Sequence, residues 1–142
     1  MKVQAPFGFV TGCHAGDKFM VQATLASMRH YCPNVPLCLS VDGDFDVSDL
    51  KKQYNLIMLR VSELPAEPMR KLICGNYRAK LAALWEGPFE FYVWLDSDAI
   101  VWGDFIPTSG LPSISKFFGA RFPSQRLRSK SHHGYRIFIS IQ

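Results

Sequence analysis

The sequence predicts an α/β fold, a mainly parallel sheet flanked by helices, and three observations carry that expectation. Short apolar runs alternate with segments of helical periodicity between residues 7 and 95. The segments between runs are long enough for crossover helices, which parallel strands require. Three of the runs end on Thr-Gly-Cys, Asp-Gly or Asp-Ser-Asp, small or acidic groups that suit a core strand leaving a sheet at its carboxyl edge. With 142 residues, 48% hydrophobic and 20% charged, the chain has enough apolar surface for one packed core. The same composition excludes disordered, collagen-like and coiled-coil classes.

Phe7 to Cys13 is a compact apolar run closing on a small-residue turn, the first buried strand. From Asp17 to Tyr31, Phe19, Met20, Ala23, Leu25, Ala26 and Met28 recur at helical spacing until Cys32-Pro33-Asn34 stops the run. Pro36 to Val41 is a second buried strand, closed by the turn pair Asp42-Gly43. Val47 to Tyr54 makes a short helix with Asp46 or Ser48 as its cap, and Leu56 to Val61 a third strand. Two prolines and two glutamates mark residues 62–68 as a loop. Met69 to Trp85 then carries one long helix across Gly75, with Leu72, Ile73, Leu81, Ala82 and Leu84 facing inward. Glu86-Gly87-Pro88 ends it, and Phe91 to Leu95, the most apolar strand, runs straight into Asp96-Ser97-Asp98.

Beyond Asp104 the pattern weakens. Pro107, Gly110 and Pro112 break the chain, residues 114–122 read equally as strand or helix, and residues 126–136 are polar and basic. Residues 137–141 form a last strand with no following element, the ending expected of a fragment or a shortened reading frame. The chain therefore divides into a ligand-binding half, residues 1–104, and a basic, incomplete C-terminal segment, residues 105–142.

The formal net charge of +4 is unevenly placed. Residues 1–104 hold ten Lys or Arg against twelve Asp or Glu, whereas residues 105–142 hold six Lys or Arg and no acid. No recognised nucleic-acid motif organises those charges, so no nucleic acid is expected as a partner; the basic tail is compatible with peripheral contact at membrane phosphates. Apolar stretches fall short of the roughly 20 residues that span a bilayer. Pro6 breaks the opening run, a poor match to a secretory signal, so the cytoplasm is the expected compartment. Cys13, Cys32, Cys38 and Cys74 have neither CxxC spacing nor a nearby histidine pair, so neither a zinc ribbon nor a thioredoxin-type site is suggested, and reduced, mostly buried thiols are expected.

The chemistry concentrates at Asp96 and Asp98. Two residues apart at a strand end, they point to the same face if strand geometry persists, and can then share one hard cation. Carboxylate oxygens suit Mg²⁺ or Mn²⁺, which keep coordination positions open for water and for the oxygens of a diphosphate. A cation so placed stabilises a departing diphosphate, which points to group transfer from a nucleotide diphosphate. The plainer reading is a pair of acids that end a strand and solvate its turn.

The segment Phe-Tyr-Val-Trp-Leu-Asp-Ser-Asp-Ala-Ile-Val-Trp-Gly-Asp, residues 91–104, resembles the DxD segment of GT-A-fold glycosyltransferases, the glycogenin and galactosyltransferase-like families above all. Lys80, sixteen residues before Asp96, falls where those families carry a lysine that contacts the sugar nucleotide. The Phe-Val-Thr-Gly-Cys opening, with Gln22, Ala23 and Ser27 on the helix after it, resembles their first strand and helix. The resemblance covers roughly residues 7–104, its DxD portion being the specific part. It implies a Rossmann-like GT-A nucleotide-sugar-binding fold and transfer of a sugar from a nucleotide-diphosphate donor, a UDP-sugar foremost, with Mn²⁺ or Mg²⁺ as cofactor. Asp98 is then the principal metal ligand, and Asp96 binds the metal or the donor ribose. Thr11, Gly12, Cys13 and Asp42 fall at donor-contacting positions, and Lys80 lies against the diphosphate or sugar; Tyr77 and Arg78 are reserve candidates. Tyr77 reads equally as packing.

The sequence departs from those families by lacking a recognisable third metal ligand and the acceptor-binding half. His132 and His133 read as a surface pair, His30 as a helix-end residue, and His14 lies in the turn after the first strand, where it can approach a nucleotide. No residue stands out as base or nucleophile, and the acceptor and stereochemical outcome stay open. Two alternatives compete. Haloacid-dehalogenase-like phosphatases also use Asp-x-Asp after an apolar strand, but Ala99-Ile100-Val101 lacks their Thr and the tail offers no later acids. The other alternative is a nucleotide-sugar-binding module or inactive remnant that binds without transferring.

Overall fold

The computed structural model describes residues 4–103 and 138–141. Its strands are β1 (Ala5–Cys13), β2 (Leu37–Val41), β3 (Leu56–Arg60), β4 (Phe89–Leu95) and β5 (Phe138–Ile141). Its helices are α1 (Lys18–Tyr31), α2 (Ser48–Tyr54), α3 (Glu67–Ile73) and α4 (Ala79–Glu86), with 3-10 turns at Ala15–Asp17 and Val61–Glu63. The strands form one sheet in the order β3-β2-β1-β4-β5, and every neighbouring pair is parallel. The fold is therefore α/β and Rossmann-like, as the alternation of apolar runs and helical periods predicts.

Because side chains alternate across a strand, β1 feeds two separate cores. Phe9 and Cys13 join Val21, Leu25 and Met28 of α1 and Leu50 and Tyr54 of α2 on one face. Val10 joins Ile73 of α3, Ala79, Ala82 and Ala83 of α4, and Phe89, Tyr92 and Trp94 of β4 on the other. Burial on both faces explains why β1, β2 and β4 read as near-continuous apolar runs.

Two helices differ from expectation. The buried residues of α1 are Val21, Thr24, Leu25 and Met28, while Phe19 is 76% exposed and Ala23 and Ala26 also face outward. Leu25 and Met28 are buried as the spacing predicts, while Phe19, Ala23 and Ala26 turn away from the sheet and Val21 takes their place. The long helix expected over residues 69–85 is broken into α3 and α4, and Leu72 is exposed. The break is an elbow with Gly75 at φ +70° and Tyr77 at φ +54°, left-handed conformations that end a right-handed helix. Its anchor is distant in sequence: the Gly75 N–H donates to both carboxylate oxygens of Asp42, at 2.9 and 3.0 Å.

The last expected strand is present as β5, beside β4 in the same sheet. The expectations for residues 114–122 and 126–136, and for His132 and His133, lie outside the described residues. All four cysteines are free thiols; Cys13, Cys32 and Cys38 are buried and Cys74 is exposed. Among the described residues no helix is long and apolar enough to cross a membrane.

From β1 the chain steps outward to β2 and β3, then returns across the opposite face to reach β4 on the other side of β1. The carboxyl ends of β1 and β4 therefore mark the point where the winding reverses. In open parallel sheets that reversal leaves a crevice, because the connections leave in opposite directions.

A close approach at β1 supplies a test of the packing. A Cβ added at Gly8 would lie 2.4 Å from the buried Phe89 ring, so Gly8→Ala must displace a core aromatic. The expected cost is about 1–3 kcal/mol, read as a lower urea midpoint with an unchanged slope.

Candidate functional site

The crevice at the reversal has a volume of about 310 Å³, near the lower end of small-molecule sites. Gly12 at the end of β1 forms its floor, where a side chain would crowd the indole: a Cβ would sit 3.0 Å from the Trp94 ring and 3.5 Å from Ala79. Along one side run Ala79, Lys80, Trp94, Asp96, Ser97 and Asp98; His14, Asp17 and Tyr77 complete the lining.

Asp96 is the most constrained acid in this set. Its Oδ1 accepts a hydrogen bond from the buried Trp94 indole Nε1 at 2.9 Å and an ion-paired contact from Lys80 Nζ at 2.8 Å. The Lys80 ammonium also lies 5.8 Å from the centre of the Trp94 ring, within cation–π range. Partial burial by itself would raise the Asp96 carboxyl, but the hydrogen bonds from Lys80 and Trp94, with the charge of Lys80, outweigh it and hold the group below the usual carboxylate range. Both Lys80 and Asp96 are about one-third exposed, so the pair contributes at most about 1 kcal/mol to stability. Its effect is to fix where a negative oxygen points.

Strand geometry does not persist through the acidic pair, contrary to the sequence expectation. β4 ends at Leu95, and Asp96 to Ala99 form a turn closed by the Ala99 N–H donating to the Asp96 carbonyl at 3.0 Å. The turn brings Asp98 to the same crevice as an exposed carboxylate. Helix α1 ties the turn down at two points: the Thr24 hydroxyl donates to the Ser97 carbonyl at 2.7 Å, and the Ser27 hydroxyl accepts the Val101 N–H at 3.0 Å. The Ser27 hydroxyl in turn donates to the Thr24 carbonyl at 2.8 Å.

The opposite wall is built from the turn after β1. The Asp17 carboxylate accepts the His14 backbone N–H at 2.6 Å. His14 Nδ1 lies 3.6 Å from Asp42 Oδ2, and its ring sits 4.6 Å from that of Tyr77, tilted by 46°. Tyr77 is 83% exposed, so it is a rim residue and not core packing.

Of the residues singled out in the sequence, Gly12, His14, Tyr77, Lys80, Asp96 and Asp98 come together in the crevice. Thr11 and Cys13 do not line it. Strand alternation turns them to the α1 face, where both are fully buried. The Thr11 hydroxyl has no hydrogen-bond partner among the described residues. Burial, followed by the nearby Asp17 charge, pushes the Cys13 thiol up to about 12, so it is an un-ionised packing group. Asp42 is buried behind His14, its oxygens engaged by Gly75, and is also absent from the lining. Arg78 is exposed at the start of α4 and lies outside the crevice. Trp94 and Asp17 were not singled out in the sequence; Trp94 precedes Asp96 by two residues, a same-face spacing that could have marked it.

Among the described residues no group of three or more His, Cys, Asp and Glu side chains is gathered for a metal. Asp96 and Asp98, two of the three aspartates on this open crevice, nevertheless offer the oxygen donors that suit Mg²⁺ or Mn²⁺, which complete their shells with water and substrate phosphate. Asp98 could offer its exposed carboxylate, and Asp96 its Oδ2, while Oδ1 is held by Lys80 and Trp94. Compared with known protein families, curated proteins and solved structures, the chain matches no family model, no curated protein and no solved structure.

Removing the ammonium tests the electrostatics directly. In Lys80→Met the strongest influence lowering Asp96 is gone, so its carboxyl titrates at higher pH than in the parent, as followed by carboxyl ¹³C NMR. The folded value lies below the unfolded one of about 4, so the stabilisation is complete above that pH and is lost as pH falls through the folded value. In the variant the gap between the unfolded and folded values narrows, so the part of the stability that is lost on acidification becomes smaller.

Proposed function

We propose that this chain is a divalent-metal-dependent glycosyltransferase that takes its sugar from a nucleotide-diphosphate donor, a UDP-sugar foremost, bound by residues 1–104. The observation that carries the reading is the convergence of Asp96, Asp98 and Lys80 on one crevice at the reversal of a parallel sheet. That is where open α/β sheets bind ligands, and these residue types are the ones a diphosphate requires.

Sugar transfer breaks the bond between the anomeric carbon and the diphosphate, and negative charge grows on the departing oxygens. Groups that bind that charge more strongly as it grows lower the barrier. Lys80 supplies a positive charge at the crevice, where its ammonium lies beside Asp96 and the Trp94 ring. A bound Mn²⁺ or Mg²⁺, held by Asp96 and Asp98, would supply Lewis-acid neutralisation of the diphosphate. Gly12 leaves the floor open for close approach of the donor, and His14 and Asp17 offer polar contacts on the facing wall. Four free thiols fit a reducing compartment, the cytoplasm.

Calorimetric titration of the full chain with UDP, UDP-glucose and UDP-galactose, with Mn²⁺ and with a chelator, tests the proposal. Binding is expected only with the metal. Asp98→Ala, a change at an exposed side chain that leaves the fold intact, is expected to weaken it at least about tenfold, equivalent to about 1.4 kcal/mol. Binding indifferent to the chelator, or none at all, would overturn the reading. Turnover of para-nitrophenyl phosphate insensitive to nucleotides would assign Asp96 to phosphatase chemistry instead.

A further inference from the structure

We infer that Lys80 is a resident counter-cation for Asp96, one that opposes a divalent metal until a diphosphate draws the ammonium away, so that metal and diphosphate enter the crevice cooperatively. The inference rests on the donor-binding reading above and adds how the site is loaded.

The geometry divides the Asp96 environment into a fixed part and a movable part. Trp94 is buried and packs close to Gly12, so the donor of its hydrogen bond to Oδ1 is held in place by the core. Lys80 reaches the same oxygen from a partly exposed position on a flexible four-carbon stem, and can be released. With two donors on Oδ1, a metal seeking that oxygen must displace the ammonium. A metal settling on Oδ2 still meets a positive charge across the same carboxylate, and the remaining ligand, Asp98, is a single exposed carboxylate.

A diphosphate changes this balance because it attracts both cations. Its oxygens accept hydrogen bonds from the ammonium, which relieves Asp96, and they also add ligands to the metal. Metal and Lys80 thus compete for Asp96 but share the diphosphate. By linkage, the factor by which diphosphate tightens metal binding equals the factor by which metal tightens diphosphate binding. No covalent step is involved.

The test measures Mn²⁺ binding by the paramagnetic resonance signal of the free ion, with and without UDP, in the parent chain, Lys80→Met and Lys80→Arg; melting curves verify folding. Without UDP, Lys80→Met is expected to bind Mn²⁺ about three- to tenfold more tightly than the parent, the range in which a partly exposed ion pair acts. Lys80→Arg, which keeps the charge, stays at or below the parent. With Mn²⁺ present, UDP affinity falls about tenfold in Lys80→Met, and the coupling factor shrinks. Mn²⁺ binding that is unchanged or weaker in Lys80→Met, while the parent still binds Mn²⁺ with UDP, overturns the counter-cation role and leaves the donor-binding reading standing. Failure of the parent to bind Mn²⁺ even with UDP overturns both.

Discussion

Parallel pairing on both sides of β1 governs the rest of the molecule, because a parallel neighbour cannot be reached by a tight turn and each connection must cross a face of the sheet. The chain crosses one face to reach β2 and β3 and the other to reach β4, which covers both faces and forces the apolar character of the central strands. The crevice is a by-product of that winding. Its floor is a glycine because the indole of Trp94 lies across the end of β1, and the same indole aims a hydrogen bond at Asp96.

Two long-range contacts convert this layout into a defined site. Thr24 and Ser27 on α1 hold the turn after β4 from one face of the sheet, so the acidic pair is positioned by a helix that touches neither carboxylate. From the second strand, Asp42 holds the elbow between α3 and α4, which sets the start of the helix bearing Lys80 and brings Tyr77 against His14. An acid expected to meet a ligand thus works at one remove, by shaping the wall.

The strands and the acidic segment were legible because each is a local signal: a short apolar run, then a break, then two carboxylates. The helix break was not, since Gly75 alone is tolerated inside a helix and its anchor stands 33 residues earlier. The phase of α1 was also hidden in part. Leu25 and Met28 were legible, but Phe19, Ala23 and Ala26 share their helical spacing, and only packing in the core turns those three outward and brings in Val21. Within β1 the run is apolar on both faces, so nothing local showed that Gly12 faces the crevice while Thr11 and Cys13 face α1. Lys80 was legible only through its spacing from Asp96; the indole that steadies both was not.

The grip of Asp42 on a main-chain amide places an unusual demand on position 75. Two filters act there at once. The left-handed backbone angle disfavours almost every residue with a Cβ, and the captured amide hydrogen bars the imino acid outright. Asparagine, which tolerates that backbone region and keeps its amide hydrogen, is the natural substitute, and nothing lies within 4 Å to obstruct its side chain. Backbone angle and captured amide together therefore narrow the residues admissible at this corner more severely than packing does, at a surface position that a survey of buried side chains would pass over.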